Sequence, residues 1–214
     1  AENSRIIVNA HRVNRGQLPE NLPLRPGELT DFYWIEQDDP DRAVELIEKM
    51  VAERIPARFG LDPVNDVQIL TPMNRGSCGT IALNARMQAL LNGGDRPQFK
   101  LGERIFRSGD KIMQIANNYE KSVFNGDFGR LGRIRFKEKM FHVMFDDGRL
   151  VEYRFEEAEQ LSPAYAVTVH KSQGSEYRAV ILALNAEQLD ECASGTGTIL
   201  TGNYGNRAIC LAAG

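Results

Sequence analysis

Polar residues able to grip a phosphate or a base gather at three places in this sequence. The first is Thr168-Val169-His170-Lys171-Ser172-Gln173-Gly174-Ser175-Glu176, a polar run between two apolar stretches. Ligands of open parallel sheets bind where strands end in such loops. Thr168, His170, Ser172 and Gln173 could donate to phosphate or sugar oxygens. Gly174 would let a backbone approach a nucleotide closely, and Glu176 could accept from a ribose hydroxyl. The same run also reads as a plain surface loop with a solvated histidine. The second place is Leu70-Thr71-Pro72-Met73-Asn74-Arg75-Gly76, an apolar stretch turning into a polar loop before a helix. A helix N-terminus offers free N–H groups to phosphate, although a capped turn with a chance arginine fits as well. The third runs from Asn117-Asn118-Tyr119 to Phe124-Asn125-Gly126-Asp127. Its rings could stack on bases and its amides hydrogen-bond them; a glycine-turned loop with a capping aspartate is the alternative.

Several chemistries have no residues to perform them. There is no G-x-x-x-x-G-K-[ST] phosphate loop, so the chain carries no nucleotide cradle of its own. No H-E-x-x-H or paired C-x-x-C occurs, and no metal site is expected. No G-x-S-x-G occurs, and His11, His142 and His170 lack an obvious nucleophile partner. A self-contained hydrolase is not expected.

The elements that must position these loops alternate along the chain. Apolar side chains at 6, 7, 10 and 13 have helical spacing, ended by Gly16 and Pro19. Residues 18–31 read as a loop and Phe32-Tyr33-Trp34-Ile35 as a strand. Asp39-Pro40 starts a helix with Val44, Ile47, Val51 and Ile55 on one face, closed by Pro56 or Gly60. Val67-Gln68-Ile69-Leu70 reads as a buried strand and 79–91 as a helix stopped by Gly93-Gly94. That order favours an α/β layer fold. The texture then changes. Strand candidates at 111–115, 134–136, 142–145 and 150–153, with Asp147-Gly148 as a hairpin turn, suggest a small β-barrel. Strands at 165–169 and 179–184 resume the α/β pattern, so the barrel reads as an insertion. Residues 193–207 give no clear reading.

Composition sets the frame. The 214 residues carry a net charge of −3, with 42% hydrophobic and 26% charged residues, as in an ordinary globular chain. The charge is uneven. Residues 96–154 hold 13 basic and 8 acidic side chains, whereas the flanking segments are each net −4. A basic block can hold a phosphate backbone within an acidic chain, and a solvated mixed-charge surface would look the same. Cys78, Cys192 and Cys210 follow no metal spacing and fit buried thiols in a reducing cytosol. No apolar run is long enough for a membrane helix and no signal core opens the chain. The expected location is therefore the cytoplasm, and the missing start methionine suggests an excised piece.

Together these segments resemble the C-terminal portion of RecD-like DNA helicases, the exodeoxyribonuclease V alpha-subunit family of helicase superfamily 1. The resemblance covers most of the chain. Residues 4–16 resemble the helix after the family's fourth motif, and 69–76 a strand-and-turn motif that touches DNA. Gly109-Asp110-Lys111-Ile112-Met113-Gln114, Asn117-Asn118-Tyr119 and 123–127 are specific to this group, and 164–176 resembles the fifth motif.

The resemblance implies a RecA-like parallel sheet layered with helices and interrupted by a small SH3-like barrel. The expected division is 1–108 for the first part of a second RecA-like domain, 109–161 for the barrel with its DNA-contact loop, and 162–214 for the remainder. ATP with Mg2+ would be bound mainly by an upstream RecA-like domain of the same protein, so this chain alone is not expected to hydrolyse ATP. Gln173, Gly174 and Glu176 would lie near the ATP cleft. Thr71, Pro72, Arg75, Asn117, Asn118, Tyr119, Phe124, Asn125, Thr168, His170, Lys171 and Ser172 would hold single-stranded DNA. Translocation would run 5′ to 3′. The tail 200–208 sits where the family has its sixth motif, with different spacing, and Arg207 is the candidate arginine finger. Nuclease or helicase subunits of an exodeoxyribonuclease V complex are possible partners. A non-motor single-stranded nucleic-acid-binding module, or an interaction module of a nuclease complex, is the competing expectation.

Overall fold

A computed structural model describes residues 4–20, 23, 30–173, 175–185 and 208–213, with backbone alone at Asn185 and 208–213. The chain divides into two compact units, Ala1–Leu83 with Ala166–Gly214, and Asn84–Tyr165.

The first unit is built on a five-stranded sheet in the order β1-β12-β11-β2-β10. Its strands are β1 (Phe32–Gln37), β2 (Val67–Thr71), β10 (Ala166–Thr168), β11 (Ala179–Asn185) and β12 (Ala208–Ala213). Every neighbouring pair is parallel, so all five carboxyl ends lie at one edge. β2 is buried at all five positions, and Ala179–Leu184 of β11 are buried too. A strand covered on both faces should read as a continuous apolar run, and these two do.

Helix α1 (Arg5–Asn14) is capped by Ser4, whose hydroxyl accepts from Ile7 N–H. Asp39 caps α2 (Pro40–Lys49) by accepting from the N–H groups of Asp41 and Arg42, with Pro40 in the first turn. The helix does not stop at Pro56. It widens into a π-helical turn at Met50–Arg54 and continues as α3 (Ile55–Phe59). Proline brings no N–H and crowds the carbonyl four residues back. The wide turn, with Ile55 N–H bonded to Met50 C=O, relieves that conflict. Gly60 ends the helix in the left-handed conformation at φ +64°. The buried Cys78 thiol donates to Pro40 C=O at 3.8 Å, and burial followed by the Asp41 charge raises its pKa.

The second unit takes in more than 109–161. It reaches back to Asn84 in α4 (Thr80–Leu91) and includes the hairpin of β3 (Gln98–Leu101) and β4 (Arg104–Arg107). An antiparallel sheet follows in the order β8-β7-β6-β5-β9. These strands are β5 (Lys111–Gln114), β6 (Phe128–Arg135), β7 (Met140–Phe145), β8 (Leu150–Arg154) and β9 (Leu161–Pro163). The core holds Phe99, Phe106, Leu131, Phe141, Val143, Phe145 and Tyr153. Phe141 stacks on Tyr153 at 5.5 Å and lies 5.1 Å from Phe99. Such ring pairs stabilise a small core beyond their buried area. Asp147-Gly148 turns β7 into β8, with Gly148 at φ +90°. Gly129 is needed for close approach, because a Cβ there would lie 2.6 Å from Met144 C=O.

Among the described residues no helix is long and apolar enough to cross a membrane.

Candidate nucleic-acid interface

In the first unit the carboxyl edge of the sheet carries two of the three polar segments. Thr71 and Thr168 are register partners at the ends of β2 and β10. After Thr71 the chain folds back tightly: Thr80 N–H reaches Met73 C=O at 3.0 Å and Ile81 N–H reaches Asn74 C=O at 3.3 Å. A Cβ on Gly79 would lie 2.5 Å from Arg75 C=O, so this turn requires glycine. The turn leaves Arg75 exposed and Pro72 half-buried.

After Thr168 the chain forms a single 3-10 turn, Val169–Ser172. Residues three apart eclipse in such a turn, so Val169 and Ser172 share the buried side while His170, Lys171 and Gln173 are exposed. Two proposed DNA ligands are turned inward. Thr71 is 0% exposed and its hydroxyl accepts from Met73 N–H at 3.3 Å. Ser172 is 1% exposed and its hydroxyl donates to Val169 C=O at 2.7 Å. Both hold their turns and offer no surface to a strand of DNA. Thr168 is half-buried, whereas Arg75, His170, Lys171 and Gln173 are exposed.

The nucleotide candidates fit only one side of a site. Gln173 and Glu176 are exposed and could hydrogen-bond a base or sugar. Gly174 and Arg207 lie outside the described residues. Among the described residues no group of three or more His, Cys, Asp or Glu could hold a metal ion.

In the second unit the 117–127 segment is a loop braced from within. Asn118 and Val123 exchange backbone hydrogen bonds at 2.8 and 3.1 Å. The Asn118 side chain accepts from Lys121 N–H at 3.1 Å and donates to Gln160 at 3.0 Å. Asn117 Oδ1 accepts from Asn125 N–H at 2.9 Å, and Asp127 accepts from Phe124 N–H at 3.0 Å. Arg149 clamps Asp127 at 2.7 Å, and Lys121 Nζ donates to Glu152 C=O at 2.7 Å. The Asn118 amide and the Asn117 oxygen are thus engaged, whereas the exposed Asn125 contributes its backbone N–H. The rings are exposed. Tyr119 is 76% exposed and Phe124 44% exposed, 6.0 Å apart and edge to face. Both rings are thus held outside the core on an internally braced loop.

The second unit also holds a buried polar cluster that sequence reasoning missed. Asp110 is 0% exposed and accepts four hydrogen bonds. The donors are Gln88 Nε2 at 2.6 Å, Asn92 Nδ2 at 2.8 Å, Arg107 N–H at 2.6 Å and Tyr165 OH at 3.0 Å. Burial pushes the Asp110 carboxyl upward in pKa, and these four bonds pull it back. Burial and the facing Asp110 raise the Tyr165 hydroxyl well above the ordinary tyrosine range. Gly109 sits at φ +93°, where a Cβ would lie 2.9 Å from Asn92 Oδ1. A signal was present in the sequence: Asn84 and Gln88 of α4 and Asn92 just past its end recur every fourth residue and are buried, as are Leu83 and Met87.

Comparison with known proteins agrees with this layout. The family model described as the ATP-dependent RecD-like DNA helicase SH3 domain matches residues 83–145. That of the UvrD-like helicase C-terminal domain matches 163–191. The chain is 35% identical over 180 residues to the ATP-dependent RecD2 DNA helicase of Deinococcus radiodurans, covering 84% of this chain and 23% of that protein. It is 29% identical over 136 residues to the RecBCD enzyme subunit RecD of Haemophilus influenzae, covering 64% of this chain and 19% of that protein. The chain thus spans under a quarter of the length of each. Among solved structures, a Pif1 helicase from Bacteroides in complex with ADP-AlF3 and single-stranded DNA aligns with TM-score 0.55 at 14% identity, covering 97% of this chain and 48% of that one. A structure of two coordinating Pif1 helicases at forked double-stranded DNA aligns at 0.51 and 15%, covering 96% and 46%. At those identities the likeness establishes the fold: mixed α/β with an antiparallel SH3-like sheet. The chain belongs to the RecD-like DNA helicase family.

Proposed function

We propose that this chain is the C-terminal motor half of an ATP-dependent DNA helicase that binds single-stranded DNA and helps close the ATP cleft for 5′-to-3′ translocation. The observation that carries this reading is the Tyr119–Phe124 pair, exposed on a loop whose polar atoms are tied internally. Stacking on a ring accepts any base, which suits a motor that must pass every sequence. Arg75, His170 and Lys171, exposed at the carboxyl edge of the parallel sheet, would add phosphate and base contacts. A Pif1 helicase of similar fold holds single-stranded DNA, and the relatives named RecD2 and RecD support the same assignment.

ATP with Mg2+ would be held mainly by an upstream RecA-like domain of the parent protein. Gln173, Gly174 and Glu176 would contribute hydrogen bonds from this side, and Arg207 is the arginine-finger candidate. Other subunits of an exodeoxyribonuclease V complex are candidate partners.

The test is ATP hydrolysis by the intact parent protein with and without single-stranded DNA. Strong stimulation supports a DNA-coupled motor. Hydrolysis without stimulation points to a partner other than DNA, and DNA binding without hydrolysis to a non-motor binding module. Affinity for single-stranded DNA should also fall steeply with salt, since basic side chains would release counterions. A flat response argues against phosphate contacts.

A further inference from the structure

Arg149 follows Asp147-Gly148 in the turn between β7 and β8, 22 residues beyond Asp127 in sequence. Its half-buried guanidinium uses all three nitrogens. Nε donates to Asp147 within the turn, Nη1 to Ser122 C=O and Nη2 to Asp127 Oδ2 at 2.7 Å. Both acceptors in the 117–127 loop are tied to a ring-bearing residue. Asp127 Oδ2 also accepts from Phe124 N–H at 3.0 Å. Ser122 N–H closes a tight turn on Tyr119 C=O at 3.2 Å. Ser122 sits at φ +55°, in the left-handed region that a side chain makes costly. Lys121 fastens the same turn, donating to Glu152 C=O of β8 at 2.7 Å and pairing with Glu157 at 3.2 Å.

One planar cation therefore joins the turns that carry Tyr119 and Phe124 to a separate hairpin. A guanidinium presents its donors in a rigid fork, whereas a lysine ammonium is a single point charge and could not meet these three acceptors in the same geometry. We propose that Arg149 is a positioning residue for single-stranded DNA binding: it holds the Tyr119 and Phe124 rings in their edge-to-face pair, 6.0 Å apart, before a base arrives. This rests on the reading of those two rings as the stacking surface. Ordering a loop and its side chains at the moment of binding costs affinity, so a pair ordered in advance binds more tightly. Arg149 acts through the rings and not as a phosphate contact, because its nitrogens are engaged by a carboxylate of its own turn and by a carbonyl and a carboxylate of the loop.

The test measures the affinity of the full 214-residue chain for a fluorescein-labelled oligo-dT, at a salt concentration low enough for every variant to bind measurably. Thermal melts on the same samples refer each affinity to folded protein. Arg149→Lys keeps the charge and breaks the fork, and it should weaken binding about fivefold or more. Asp127→Asn removes a negative charge, which by itself would favour a polyanion, yet it loosens the Arg149 contact and should weaken binding too. In the Tyr119→Ala/Phe124→Ala background neither change should have a further effect, as for residues that act as one unit. Unaltered affinity in Arg149→Lys, tighter binding by Asp127→Asn, or an equal loss with and without the rings would each overturn the proposal, the last by making Arg149 a direct DNA contact. A ring double variant that binds as well as the unaltered chain is a separate result: it removes the stacking reading itself and, with it, the role of Arg149.

Discussion

Two neighbouring stretches of the second unit use the same residue types to opposite ends. At Asp110 a carboxylate, two amides and a tyrosine hydroxyl close on one another, all of them buried. At 117–127 the amides and the aspartate close on one another as well, but the tyrosine and phenylalanine rings remain outside. A buried polar group is costly unless every partner is present, so the first stretch has no spare valence for a ligand. The second satisfies its backbone with its own side chains, which lets it keep two rings in water. At these two stretches the polar residues hold, and at the second Tyr119 and Phe124 stay exposed while Phe99, Phe106, Phe141, Phe145 and Tyr153 fill the core of the unit. The residues that most resemble ligands by type, Asn117, Asn118, Asp110 and Gln114, are the ones engaged internally.

The comparison can be broken by mutation, and the largest effect should come from the closed stretch. Asp110→Ala leaves three buried side-chain donors and one backbone N–H without their acceptor and should cost about 3 kcal/mol or more of stability. Urea unfolding reads this, and DNA affinity per folded molecule should not change. Tyr119→Ala and Phe124→Ala should do the reverse, each weakening single-stranded DNA binding by about 1–3 kcal/mol while stability shifts by under about 0.5 kcal/mol. Loss of stability without loss of affinity would make the loop a structural brace.

His170→Ala should weaken binding by about 1–3 kcal/mol if the imidazole stacks on a base; unchanged affinity at fixed salt removes it from the DNA site. The smallest effect concerns alkaline pH. Tyr165 and Tyr153 both have folded-state pKa values raised above that of an ordinary tyrosine, chiefly by burial. Below about pH 10 they are protonated in both folded and unfolded chains, and their contribution is fully present. As pH rises past that point the unfolded chain releases protons while the folded chain keeps them, so stability is lost. Tyr165→Phe should flatten that alkaline decline at a cost of about 1 kcal/mol near neutrality. An unchanged slope would mean that this hydroxyl does not govern it.

The fold was legible where local chemistry and tertiary context agree. The apolar runs of β2 and β11, the Asp39-Pro40 helix start and the Asp147-Gly148 hairpin all appear where sequence places them. The β3–β4 hairpin escaped notice because Lys100, Arg104 and Arg107 interrupt its short apolar alternation, leaving Phe99 and Phe106 as its buried anchors. β12 is a continuous apolar run, Ala-Ile-Cys-Leu-Ala-Ala, that the sequence reading leaves unassigned; it pairs between β1 and β11. Val169 continues an apolar run yet belongs to the 3-10 turn. The site was legible as segments and less so as side chains. A sequence shows that Thr71 and Ser172 are polar, but the direction each faces depends on the turn that holds it.

The most direct test of this account is single-stranded DNA affinity of the Tyr119→Ala/Phe124→Ala double variant beside the unaltered chain, at one salt concentration and with thermal melts on the same samples. The account predicts affinity reduced by at least about tenfold, corresponding to 1.4 kcal/mol, at an unchanged melting temperature. Equal affinity, with both proteins folded, would contradict it.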